Sequence, residues 1–270
     1  SQEVNKIEVQ NLSEALEVPA TNDEISRLTS SFNKMLARLD EAFTAQKQFS
    51  ANAAHELRTP LAVIQTNLEV FARRESPSLK DYQDIFAMLQ EQTGRLSHLA
   101  EILLDITGIQ TIERSERISL AVLADEVFCD LASIAEQKQI ELIQQEGDCI
   151  ITGSYLLLYR AVYNLVENAI KYNHPGGKVT INIRFSKGVS NTSVNYATLV
   201  VSDTGIGIPP EYQEKIFTPF FRIDKSRSRA MGGSGLGLAL VNEIVRQHNG
   251  QVKVLESSKK GSTIALMLPI

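Results

Sequence analysis

Tryptophan is absent from the 270 residues, and cysteine occurs only twice, as Cys129 and Cys149. Two thiols make neither a disulfide framework nor a metal-ligand set, so a reducing compartment is the simpler setting. Long apolar runs are missing too. Tyr155 to Tyr159 is stopped by Arg160, and nothing approaches the ~18 residues that cross a bilayer. A basic excess is lacking. The net charge of −5 argues against a nucleic-acid partner. The opening Ser1-Gln2-Glu3-Val4 has no basic or apolar region of a secretory signal and no initiator Met, so we expect an excised piece of a longer chain. Glycine is absent from residues 1–93, whereas ten of the fifteen glycines fall between Gly176 and Gly250. With 43% hydrophobic and 22% charged residues, disorder and collagen-like classes are excluded.

The glycine-free part reads as long helix. Ile25, Leu28, Phe32, Met35, Leu39 and Ala42 recur at alternating steps of three and four. Gln46 interrupts, and Phe49 and Ala53 resume. So narrow a stripe is a coiled-coil seam rather than the face of a lone helix. The helix is expected to run to about Arg73, bent near Pro60, which lacks the N–H for the Glu56 carbonyl. After a turn from Arg73 to Ser78, Tyr82, Ile85, Leu89, Gln92, Leu96, Leu99, Leu103 and Ile106 mark a second helix. Such a hairpin leaves an apolar stripe open. Two hairpins close it as a four-helix bundle, so a homodimer is expected.

Beyond Ile109 the period changes. Leu120 to Lys138, Ser154 to Tyr172 and Leu236 to Asn249 read as helices, the last with Gly250 as C′ residue. Ile140–Ile143, Cys149–Thr152, Val179–Phe185, Ala197–Ser202, Gln251–Glu256 and Thr263–Leu268 read as strands, and Lys187–Asn195 as a polar hairpin loop. The order lacks regular βαβ repetition and predicts an α/β sandwich.

Four segments carry chemistry. In His55-Glu56-Leu57-Arg58-Thr59-Pro60, an imidazole on an exposed helix face is a nucleophile with a carboxylate beside it to fix its tautomer. Thr59 lies one turn on, with a hydroxyl able to hold water. Asn164, Asn168, Lys171 and Tyr172 share one helical face. Asn168 offers an oxygen to Mg²⁺, Lys171 a charge to phosphate, and Tyr172 a ring to a base. Asp203-Thr204-Gly205-Ile206-Gly207 follows a strand, so its carboxylate can accept from an exocyclic amine while the glycines let backbone approach. Phe217 to Arg222, with Phe221, precedes a basic run of Lys225, Arg227 and Arg229. Gly233-Ser234-Gly235-Leu236-Gly237 then opens a helix, an anion site by its exposed N–H groups. Neither a Walker A nor a Rossmann glycine pattern is present. Each segment alone also has an ordinary structural reading, from surface histidine to flexible glycine turn.

Together, in this order, these segments, the fourth counted as two, resemble the H, N, G1, F and G2 boxes of bacterial sensor histidine kinases, over about residues 40–270. Asp23-Glu24-Ile25 and the helix behind it resemble the end of a HAMP signalling module, with Ser26 where that module often has glycine. The resemblance implies three parts: a HAMP-like end and coiled coil (1–39), a dimerisation and histidine-phosphotransfer hairpin (40–113), and a Bergerat-type ATP-binding domain (116–270). It implies that His55 takes the γ-phosphoryl group of Mg·ATP and passes it to an aspartate of a response regulator. Glu56 would then assist proton removal, and Thr59 would orient water for regulator dephosphorylation. Asn168 would hold Mg²⁺, Asp203 would read adenine, and Lys171, Tyr172 and Arg222 would touch nucleotide. His98, His174 and His248 match no family nucleophile and are read as structural. The segment Gln110–Ser119 is the expected hinge. The resemblance also implies a membrane-anchored parent whose sensor precedes residue 1, with this piece on its cytoplasmic side. Two rivals remain open at this point: an ATP-driven clamp of the gyrase or Hsp90 type with Glu167 activating water, and a dimeric relay that binds nucleotide without turnover.

Overall fold

The structure, a computed structural model, describes residue 16 and residues 24–109, 112–186, 195–223 and 234–270. The expectations for residues 1–15, for Pro19 to Asp23, for most of the 187–195 loop, for the basic run and for Gly233 therefore lie outside the described residues. Two compact units are present, Ser1–Thr59 and Pro60–Ile270.

Helix α1 (Glu24–Ala72) begins in the first unit and ends in the second. In the first unit Asn33 clasps the chain at Leu16 with two hydrogen bonds. Its Oδ1 accepts the Leu16 N–H (2.9 Å), and its Nδ2 donates to the Leu16 carbonyl (2.8 Å). Leu36 is buried, while the seam residues Ile25, Leu28, Met35 and Leu39 are exposed on the single chain.

In the second unit α1 ends at a turn whose geometry is set by Ser78, the N-cap of α2 (Leu79–Gly108). The Ser78 hydroxyl accepts the Asp81 N–H (3.2 Å), and the Asp81 carboxylate accepts the Ser78 N–H (2.9 Å), a reciprocal capping box. The Ser78 backbone and hydroxyl bonds, with Arg74 beside them, hold the Asp81 carboxyl down at about 2. Phe71 meets Tyr82 edge to face across the turn at 5.1 Å.

Next come β1 (Glu116–Ser119), α3 (Leu120–Gln137), β2 (Glu141–Gln144), β3 (Ile150–Gly153), α4 (Tyr155–Lys171), β4 (Lys178–Ser186) and β5 (Tyr196–Asp203). Two 3₁₀ turns (Pro210–Tyr212, Lys215–Phe217), α5 (Gly237–Gln247), β6 (Gln251–Ser258) and β7 (Gly261–Pro269) complete the order. Strands β2-β4-β5-β7-β6 form one sheet, parallel only between β2 and β4. Its alternating Val179, Ile181, Ile183, Leu199 and Leu266 meet the apolar faces of α3, α4 and α5, whose Leu123, Val127, Leu158, Leu165 and Leu240 are almost fully buried. This is the expected α/β sandwich.

Two expectations need correction. The expected hinge Gln110–Ser119 runs into regular structure, because Glu116–Ser119 is strand β1, paired antiparallel with β3 and anchored by buried Ile118. The C′ residue of α5 is Asn249, not Gly250. Asn249 takes the left-handed φ of 56° and donates to Arg246 O (3.0 Å), while Gly250 N–H reaches Val245 O (2.9 Å). That pair of bonds is a Schellman motif, with asparagine in the place glycine usually takes.

Two features join α4 to its neighbours. Tyr155, Tyr159 and Tyr163 stack along α4, and the first two hydroxyls donate to Glu126 and Asp130 of α3. Burial, then the Glu126 contact, pushes the Tyr155 hydroxyl up to about 12. At the other end His248, the C-cap of α5, is buried against Ser154, the N-cap of α4. Its Nε2 lies 3.0 Å from the Ser154 N–H, a fixed donor, so Nε2 accepts and Nδ1 carries the proton to Ile244 O (2.8 Å). The structural reading of His248 agrees with this geometry.

Candidate functional site

A cavity of about 740 Å³ lies in the second unit, within the usual range for small-molecule sites. One wall is α4, which presents Asn164, Glu167, Asn168 and Lys171, with Tyr172 just past its end. Asp203, Gly207 and Ile208 come from the end of β5 and the loop after it, Phe221 and Arg222 from the loop behind the 3₁₀ turns, and Gly235 and Gly237 from the start of α5. Ten of the sequence-predicted residues thus share one cavity. Two do not line it: Leu236 is fully buried in the core, and Gly205 stands behind Asp203.

Asp203 is half-buried, and its surroundings fix how it points. Its Oδ1 accepts the Gly205 N–H (2.7 Å), and the Ser262 N–H also bonds the carboxylate. Burial raises its pKa, and these two bonds oppose the rise without cancelling it. Gly261, which sequence reasoning missed, permits this packing. It adopts φ 131°, and a Cβ there would overlap the Asp203 carbonyl oxygen.

Gly237 makes the opposite wall. A Cβ at this position would sit 2.6 Å from Asn164 Oδ1 and 3.6 Å from Asn168 Nδ2, so only glycine brings the N-terminus of α5 against the asparagine face. Asn164 Nδ2 itself donates to Arg160 O within α4 (2.8 Å), which holds the amide in place. At the far end of α4, burial lowers the Lys171 pKa. Glu167 opposes that shift, and the cations Lys138, Arg222 and Arg95 add to it. Lys171 also lies 5.8 Å above the Tyr172 ring.

A half-buried lysine that feels three other cations and one acid suits a polyanion. The carboxylate of Asp203 and the apolar Ile206, Ile208 and Ile264 suit a flat base with an exocyclic amine. The residues present therefore fit a nucleoside polyphosphate. Among the described residues no three His, Cys, Asp or Glu side chains gather as a metal cage. The donor type that a divalent ion could use here is an amide oxygen such as that of Asn168.

In the first unit His55 is exposed on α1, Glu56 is half-buried, and Thr59 is exposed with its hydroxyl donating to His55 O (3.1 Å). That bond leaves the hydroxyl oxygen free to accept. Sequence reasoning also missed the residues of α2 on the cavity wall, His98 and Ile102. No local signal marks them, because a histidine on a helix reads the same wherever it packs. No helix among the described residues is long and apolar enough to cross a membrane.

Three family models match the chain. Residues 153–270 match the histidine kinase-, DNA gyrase B- and HSP90-like ATPases, 45–112 the phosphoacceptor (His Kinase A) domain, and 1–41 the HAMP domain. Sensor histidine kinase CusS of Escherichia coli O157:H7 is 32% identical over all of this chain and 55% of its own length. Sensor histidine kinase RppB of Synechocystis is 36% identical over 85% of this chain and 50% of its own. The chain spans about half the length of these curated relatives. Among solved structures, histidine kinase AdeS of Acinetobacter baumannii superposes with TM-score 0.61 at 22% identity, covering 80% of this chain and 97% of that one. Histidine kinase ThkA, solved in complex with response regulator protein TrrA, gives 0.65 at 22%, covering 92% and 68%. At such identity these two share the fold. With the family models and the curated relatives in place, the chain belongs to the sensor histidine kinases of two-component systems, and its second unit carries their ATPase fold.

Proposed function

We propose that this chain is the kinase portion of a sensor protein: it phosphorylates its own His55 from Mg·ATP and passes the phosphoryl group to an aspartate of a response regulator. The observation that carries the reading is the convergence of Asn168, Lys171, Asp203, Arg222 and Gly237 on one cavity. Asp203 accepts the adenine amine with the carboxylate oxygen not held by Gly205. Lys171 and Arg222 orient the phosphates, and the α5 N-terminus offers its N–H groups. Asn168 would hold Mg²⁺, which would neutralise charge on the transferring group. A His55 ring nitrogen forms the bond to phosphorus, the bond to the bridging oxygen breaks, ADP leaves with that oxygen, and Glu56 receives the proton lost from the imidazole. In the reverse sense, Thr59 holds the water that hydrolyses the regulator's aspartyl phosphate.

We assign residues 1–39 to signal input, 40–113 to a hairpin that pairs with a second copy, and 116–270 to ATP binding, with the parent anchored in a membrane. The exposed Ile25, Leu28, Met35 and Leu39 support self-association. Incubation with γ-labelled ATP tests the reading. Wild type should gain acid-labile, base-stable label, and His55→Gln should gain none while still binding ATP. Histidine-bound label in the variant would refute the assignment.

A further inference from the structure

Four residues of α2, spaced by three, four and three, turn toward the nucleotide-binding part of the second unit. His98 and Ile102 line the cavity, and Ile102 is buried there. The charge of Arg95 acts on Lys171. Asp105 forms an ion pair with Arg160 of α4, with 19% and 35% of the two side chains exposed. Neither Asp105 nor Arg160 lines the cavity, so the pair acts on it through position alone.

We propose that this face of α2 is a removable wall of the cavity, latched by the Asp105–Arg160 pair, and that the closed wall retards departure of bound nucleotide. The inference rests on the cavity being the nucleotide site. Two forces oppose each other in the empty protein. The ion pair and the burial of Ile102 hold α2 in place. Arg95, whose charge is partly offset by its ion pair with Glu91 (2.6 Å), meanwhile adds to the cations around Lys171, which repel it. A polyphosphate changes the sign of that second force, because Arg95 then faces net negative charge. Nucleotide thus binds the closed arrangement better than the open one and shifts the equilibrium toward closure. Asp105 and Arg160 are positioning residues, since they touch neither nucleotide nor the reacting atoms in this reading.

The test is stopped-flow release of a fluorescent ADP analogue from the full 270-residue chain. The proteins are wild type, Asp105→Arg, Arg160→Asp and the double reversal. Each single reversal should speed release about threefold to tenfold, the span expected for a partly shielded ion pair turned repulsive. The double reversal should restore release to within about twofold. A second readout is hydrogen exchange over residues 95–106, which nucleotide should slow in wild type and the double variant but not in the single ones. Unchanged release in both single variants would overturn the proposal. Slower release in them would also overturn it, since α2 would then be a plug that excludes nucleotide. If wild type fails to bind the analogue at all, the nucleotide reading falls first and the wall with it.

Discussion

Acid should loosen the junction between α4 and α5, and the group responsible is His248. Its Nε2 accepts the Ser154 N–H, and its Nδ1–H reaches Ile244 O. Protonation would turn Nε2 into a donor facing a donor. Burial, assisted by the charge of Arg114 and opposed by the Ile244 bond, lowers the pKa below its ordinary 6.5. The sign follows from linkage. Above 6.5 both folded and unfolded chains hold a neutral ring, and the full stability is present. As pH falls below 6.5 the unfolded chain binds a proton that the folded chain refuses, and stability is lost until the folded pKa is reached. Between about pH 7.5 and about pH 5.5 the loss is at most about 1.4 kcal/mol, set by titration of the unfolded histidine alone. Urea unfolding followed by far-ultraviolet circular dichroism, on wild type and His248→Gln, isolates this contribution. Glutamine supplies an acceptor that does not titrate, so the wild type should lose up to that amount more than the variant over the same pH interval. Proton NMR of the imidazoles should place the His248 midpoint below 6.5. A folded midpoint at or above 6.5, or parallel pH profiles for the two proteins, would refute the reasoning.

Three further outcomes are expected. Gly237→Ala should lower the melting temperature, by overpacking worth about 1–3 kcal/mol, and weaken ATP binding measured by calorimetry, because the new methyl displaces Asn164 Oδ1 from 2.6 Å. Asp203→Ala should weaken ADP binding with and without Mg²⁺, whereas Asn168→Ala should weaken only the Mg²⁺-dependent part; calorimetry in both conditions separates the two. Thr59→Ala should keep most autophosphorylation and lose most dephosphorylation of the regulator, read as decay of purified phospho-regulator in the presence of ADP.

The long helices were legible because seven-residue periodicity is a local signal, and the described ends of α1 and α2 fall within three residues of the expected ones. Most of the cavity was legible for a related reason. Asn168, Asp203 and Gly237 sit in short segments whose residue types have few other uses together. Strand β1 was not legible. Of its four residues only Ile118 is buried, and its pairing is to β3, more than thirty residues away. Gly261 stayed hidden because its necessity comes from the Asp203 carbonyl, a neighbour 58 residues distant that no window spans. The α2 wall was hidden likewise, since Arg95, His98 and Asp105 have the composition of a solvated helix face. Asn249 displaced Gly250 because asparagine tolerates the left-handed region well enough to stand one residue earlier.

The Phe220 N–H donates to Gly235 O at 2.8 Å, with Phe220 itself at φ 64°. The two residues are fifteen apart in sequence and adjacent in space. The bond clamps the loop that carries Phe221 and Arg222 to the glycine just before α5. Gly235 stands at φ 72°, and a Cβ there would lie 2.9 Å from the Phe221 carbonyl oxygen. A side chain at position 235 would therefore disturb Arg222 and the start of α5 together, so two walls of the cavity answer to one residue that carries no side chain of its own.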